Sequence, residues 1–179
     1  MTRELVKGRM RLCEGHMDRI LGEGRPNTVK GNAARWKYWN AAETRFQEAA
    51  ELLPRSPDPY LGLARLYTYD LRDIEKAKAA LAKAQDNGYP LGNREKAQIA
   101  DGYLSRVNRT WAESRALAQI PQQEREFLAH AQQDCSSATD LYQQIGAYGR
   151  SAQNLRVLIQ RCEQVDERLR ELDQPRQTQ

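Results

Sequence analysis

Two periods run through the chain. Apolar positions recur at helical spacing, and small residues recur on a longer interval. Ala42, Ala77 and Ala112 stand 35 residues apart, and four residues after each come Phe46, Leu81 and Ala116. Leu63, Ala64 and Tyr67 return 36 residues later as Ile99, Ala100 and Tyr103. A unit of this length is the mark of stacked helical pairs. The first helix of one unit is predicted over 59–69, through Tyr60, Leu63, Leu66 and Tyr67, opened by Asp58-Pro59. The second, over 74–85, is rich in Ala, Lys and Glu and has high helix propensity. Asn87-Gly88-Tyr89-Pro90 stops it, with Gly88 suited to a left-handed cap. The next pair is predicted over 94–106 and 110–119. Methyl-sized side chains at Ala64, Ala77, Ala100 and Ala112 let helices approach, and Tyr60, Leu63, Tyr67 and Leu81 fill the space between them.

The two ends depart from this unit. Residues 3–21 predict a helix with Leu5, Leu12, Ile20 and Leu21 on one face. Gly22, Gly24, Gly31 and Pro26 predict a loop over 22–32. Residues 122–172 predict two longer helices around Gly146-Ala147-Tyr148-Gly149. Their stripes are Leu128, Ala131, Cys135, Ala138, Tyr142 and Ile145, then Leu155, Ile159, Cys162, Val165, Leu169 and Leu172. Residues 173–179 read as a disordered tail.

The repeating unit resembles the tetratricopeptide repeat family. Residues 57–90 carry Tyr60-x2-Leu63-Ala64-x2-Tyr67 and then Ala77-x3-Leu81. The preceding half-unit carries Ala42-x3-Phe46, Ala49 and Pro54. Residues 93–121 match through Ile99-Ala100-x2-Tyr103, with Lys96 where the family has an aromatic. The resemblance implies an all-α fold, a right-handed α-solenoid of antiparallel helix pairs. Its organisation would be an N-terminal helix and Gly-rich loop (1–32), repeats over 33–121 (divided 33–56, 57–90 and 93–121) and a C-terminal helical hairpin cap (122–172). Atypical ends are expected of solenoids.

Charge narrows the choice of partner. Of 28 basic residues 21 are Arg, and the net charge of +4 is carried by residues 1–45, which hold 10 basic and 5 acidic groups. A basic N-terminal segment fits an anion-binding module for nucleic acid or an acidic membrane surface. Trp36, Tyr38, Trp39 and Phe46 beside Arg35, Lys37 and Arg45 suit that reading. The helical spacing of Trp36, Trp39, Glu43, Phe46 and Ala50 suits core packing instead. No apolar run approaches the roughly 18 residues of a membrane span. The opening Met1-Thr2-Arg3-Glu4 lacks the pattern of a signal peptide, so the expectation is a cytoplasmic protein.

Catalytic chemistry finds little material. For a hairpin turning between Tyr148 and Gly149, Cys135 faces Cys162. The pair is either a disulfide, which implies a periplasmic or envelope location, or two buried thiols in a reducing one. Cys13 and His16 lie three apart with no second pair of ligands nearby, so no metal site is expected. Gly22-Glu23-Gly24 and Lys30-Gly31 lack both the Lys-Ser/Thr and the strand that a phosphate loop needs. No cofactor is expected and no enzyme is indicated.

The family resemblance places a peptide-binding groove on the first helices of successive repeats. Carried over by position, it presents Asp58, Leu61, Arg65, Thr68 and Tyr69, then Arg94, Ala97, Asp101, Leu104 and Ser105. Family members that clamp a terminal carboxylate have Lys and Asn where this chain has Leu61 and Arg65, then Ala97 and Asp101, which disfavours that ligand. The expectation is a non-catalytic adaptor or scaffold, a soluble portion of a larger envelope or secretion assembly. Its partner would be a peptide or helix with acidic and apolar side chains. A third expectation is a homo-oligomer built through the apolar seams of 122–172.

Overall fold

In a computed structural model, which describes residues 2–174, the chain is all-helical. It divides into two compact units, Met1–Leu91 and Gly92–Gln179.

The first unit is two successive helical hairpins, α1 (Arg3–Glu23) with α2 (Val29–Leu52), and α3 (Asp58–Arg65) with α4 (Ile74–Asp86). Side-chain caps open three of them. Thr2 Oγ1 accepts from Leu5 N, Thr28 Oγ1 from Gly31 N, and an Asp73 carboxylate oxygen from Lys76 N. Each satisfies a backbone donor that the helix itself leaves unpaired. Gly88 ends α4 at φ +83°, the left-handed stop expected of it. The small residues lie where close packing needs them, with Ala42, Ala49, Ala64, Ala77 and Ala84 fully buried. Phe46, also fully buried, is held between Gly15 and Gly62. A Cβ on either glycine would come within 2.8 Å of its ring.

The loop expected over 22–32 is shorter than the glycines suggested. Helix α1 runs through Glu23 and α2 begins at Val29. Gly22 and Gly31 lie inside helices, at positions where a side chain would strike Trp39 or the Pro26 carbonyl. The inner face of α1 is likewise corrected. Ile20 and Leu21 are exposed, and the helix meets the α2 segment through Gly8, Gly15 and Gly22, while Arg19 is buried against Asp70. A glycine within a helix costs about 1 kcal/mol relative to alanine. Here that cost is offset because the glycines let α2 approach closely.

The second unit is α5 (Asn93–Ser114), α6 (Pro121–Ile145) and α7 (Ser151–Asp173). The pair expected over 94–106 and 110–119 is a single helix. Asn108-Arg109-Thr110 contains neither Gly nor Pro, so nothing interrupts the hydrogen-bond ladder. The break comes after a 3-10 turn at Arg115–Leu117, and Pro121 opens α6. Ala112 and Ala116 are accordingly exposed, and the alanine period is a packing period only as far as Ala100. The α6–α7 hairpin forms as expected around Gly146 and Gly149, both at positive φ. On α7, Leu158 takes the buried place expected of Ile159, which is exposed. Leu128, Ala131 and Val165 form a buried cluster, with Trp111, Leu169 and Leu172 packed against it. Asp173 still belongs to α7. Of the tail expected over 173–179, residues 175–179 lie outside the described residues.

Candidate interaction face

The positions expected to line a groove in the first unit belong to α3 and the turn that follows it. That turn, Leu66–Asp70, is π-helical, with Leu71 N donating to Leu66 O at 2.9 Å and Asp73 N to Tyr67 O at 2.8 Å. The wider turn buries Leu66, Tyr67 and Thr68 in succession, which a regular amphipathic helix does not do. Arg72 then takes a left-handed conformation, φ +56°, to bring the chain back to α4.

Two polar groups of this turn point into the unit. The Tyr67 hydroxyl donates to Glu43 at 2.6 Å, and Lys76 lies 3.6 Å from the same carboxylate. Burial, then the Glu43 carboxylate, raises the Tyr67 phenol above its ordinary value. Asp70 is buried and accepts from Arg19 Nη1 at 3.2 Å, and Arg19 also pairs with Glu23. Burial pushes the Asp70 carboxyl up to about 6, against the opposing pull of Arg19. His16 sets its ring edge to face against Phe46, centroids 4.9 Å apart, and burial lowers its pKa.

The outer side keeps Asp58, Leu61, Arg65 and Tyr69 accessible, Leu61 half-buried and Tyr69 and Arg65 exposed. Their spacing of three and four puts them on one face. Arg65 has no ion-pair partner among the described residues. Thr68 does not belong to this face. It is 3% exposed, and its hydroxyl donates to Ala64 O at 2.9 Å.

In the second unit Arg94 is exposed, and Ala97, Leu104 and Ser105 are half-buried on α5. Asp101 is engaged within the unit. Its carboxylate accepts from the Tyr142 hydroxyl at 2.6 Å and from Asn154 Nδ2 at 2.8 Å, tying α5 to α6 and α7. A carboxylate held this way is a packing element rather than a ligand contact.

The polar residues that matter most to the second unit were not singled out in the sequence. Glu124 is fully buried and receives both Arg168 Nε and Nη2 at 2.8 Å. That forked pair raises the Arg168 guanidinium further above its already high value. Arg106 grips Asp134 in the same way, at 2.6 Å through Nε and Nη2. Their partners lie 44 and 28 residues apart, so no local spacing signals them.

Cys135 and Cys162 face each other across α6 and α7, with their sulfurs at bonding distance, 2.11 Å, and their Cα atoms 5.9 Å apart. Cys13 is free and exposed. Among the described residues no three His, Cys, Asp or Glu side chains converge to hold a metal ion, and no helix is long and apolar enough to cross a membrane. The aromatic cluster of α2 divides. Phe46 is core, Trp39 covers Gly22, and Trp36 is half exposed, edge to face with Trp39 at 5.8 Å. Much of the surrounding positive charge is engaged within the unit. Arg11 and Arg45 pair with Glu14, Glu48 and Asp18, Arg25 lies over Tyr38, and Arg35 lies over Trp39.

These features define a class, an all-helical protein of packed hairpins with an accessible mixed face on α3. No family model, curated protein or solved structure matches the chain.

Proposed function

We propose that this protein is a non-catalytic adaptor of the tetratricopeptide-like kind, which holds an acidic and apolar segment of a partner against the outer face of α3. The observation that carries the reading is the pairing of an exposed Arg65, without an ion-pair partner among the described residues, with Leu61 and Tyr69 on one face. Arg65 supplies a forked donor for a carboxylate, and the other two supply apolar contact. The α3 helix is short, but the π turn and α4 hold it from behind, so the face is organised before a ligand arrives and little ordering entropy is lost on binding. The alanine-lined hairpins of residues 1–91 support the family reading. The single α5 helix limits it to those residues.

A fluorescent peptide alternating Glu and Leu tests this. Its binding should weaken as salt is raised and should fall about tenfold on Arg65→Glu, the loss of one charge-assisted contact. A peptide indifferent to both would refute the placement. The second reading, an anion-binding N-terminal segment, rests on the half-exposed Trp36. It predicts that single-stranded nucleic acid binds the chain and that Trp36→Ala abolishes this. The internal engagement of Arg11, Arg25, Arg35 and Arg45 makes it the weaker of the two.

A further inference from the structure

Helix α1 has two faces of opposite character. Gly8, Gly15 and Gly22, seven residues apart, meet α2. On the other side Val6, Met10, Cys13, Met17 and Ile20 follow one another at spacings of four, three, four and three. That spacing is the a/d pattern of about two heptads, and the glycines fall on the side away from it. The seam is open to solvent, with Met10 58%, Met17 62% and Ile20 59% exposed. No charged residue occupies a seam position between Val6 and Ile20. Surface helices of folded proteins normally turn such a stripe inward.

We propose that this face is the seam of a parallel two-stranded coiled coil with a second copy of this chain. The flanking charges favour an identical partner. Arg9 precedes the seam layer of Met10, and Glu14 follows that of Cys13, five residues on. In a parallel pair these are the positions that meet across the interface; Glu14 Oε2 already takes Arg11 and Arg45 within the chain, and Oε1 is the oxygen that Arg9 of the second copy would reach, so the contact forms twice. The groove along this face is lined by Val6, Arg9, Met10, Cys13, Glu14 and Met17. Because α2 lies behind the glycines, it stands clear of an approaching second helix. The helix is also already formed within the hairpin, so a seam this short need not be long enough to nucleate its own folding.

Sedimentation equilibrium of the full chain over a range of concentrations should show a monomer–dimer equilibrium. Met17→Asp should weaken it at least tenfold while leaving the helical circular dichroism unchanged, since the side chain is exposed. In a Cys13→Ser, Ile20→Cys variant, a short bismaleimide should join two chains through the thiol introduced by Ile20→Cys in each, as the parallel register requires. Three results overturn the proposal: a chain that stays monomeric, a dimer that survives Met17→Asp, or the absence of that cross-link in a chain that does dimerise.

Discussion

At the scale of single residues, glycine placement decides how closely the first unit packs. Its value differs from site to site according to what a Cβ would meet. At Gly15 the nearest atoms belong to the Phe46 ring at 2.8 Å, and at Gly31 to the Pro26 carbonyl oxygen at 2.0 Å. Gly24 has nothing nearer than 3.6 Å and an ordinary helical φ. Alanine at Gly24 should therefore be neutral or slightly stabilising. At Gly15 overpacking of about 1–3 kcal/mol outweighs the gain in helix propensity. At Gly31 the loss should be larger, because a backbone atom cannot swing aside. Denaturant melts of the three variants check this order. Asp70 offers a second test. Its carboxyl is raised from 3.8 to about 6, so between those values the folded chain keeps a proton that the unfolded chain has released. The contribution of this group to stability is therefore full below about pH 4 and falls as pH rises towards 6. Measured as the difference in melting temperature between the wild type and Asp70→Asn, the wild type should lose ground across that window. Arg19, Glu23 and Arg65 surround the group. A difference flat in pH would refute the assignment.

At the scale of elements, caps and breakers explain where helices start and stop, and a missing breaker explains the main surprise. Helix α5 runs on through Asn108-Arg109-Thr110 because those residues tolerate helical dihedrals, whereas the period alone suggested a turn there. In the second unit, long-range links fasten what periodicity arranged. The Cys135–Cys162 pair closes a separation of 27 residues. By the chain-entropy argument its loss should cost about 3–4 kcal/mol. Reductant should lower the denaturation midpoint of this unit by a corresponding amount. Thiol titration of the unfolded chain should count one thiol before reduction and three after. Three thiols without reductant would remove the bridge. The pairing itself was legible in the sequence, since an antiparallel hairpin fixes which residues face one another. The Glu124–Arg168 pair was not, because two charged residues far apart in sequence carry no mark of being brought together.

At the scale of the whole molecule, the chain is two helical units joined at Leu91 and Gly92, each with its own buried residues. Fragments 1–91 and 92–179 should each be helical and melt cooperatively. A fragment that stays unfolded would refute the independence of its unit. Charge is unevenly placed at this scale as well. The first quarter of the chain carries the positive surplus, yet much of it is engaged in pairs with Glu14, Asp18, Glu48 and Asp70 or over aromatic rings. A net charge read from composition therefore overstates what the surface offers a ligand.

The sequence by itself determined that the protein is helical, where most helices lie, which alanines are buried in the first unit and which cysteines face each other. Those properties follow from local propensity and from spacing along one helix or across one hairpin, and both are written in residue order. Only the tertiary structure decided that Gly22 and Gly31 serve close approach rather than a loop. It also decided that Thr68 and Asp101 turn inward, and that Arg19 and Glu124 are buried with distant partners. Each of these depends on which atoms arrive from elsewhere in the fold, and a spacing rule holds no information about that.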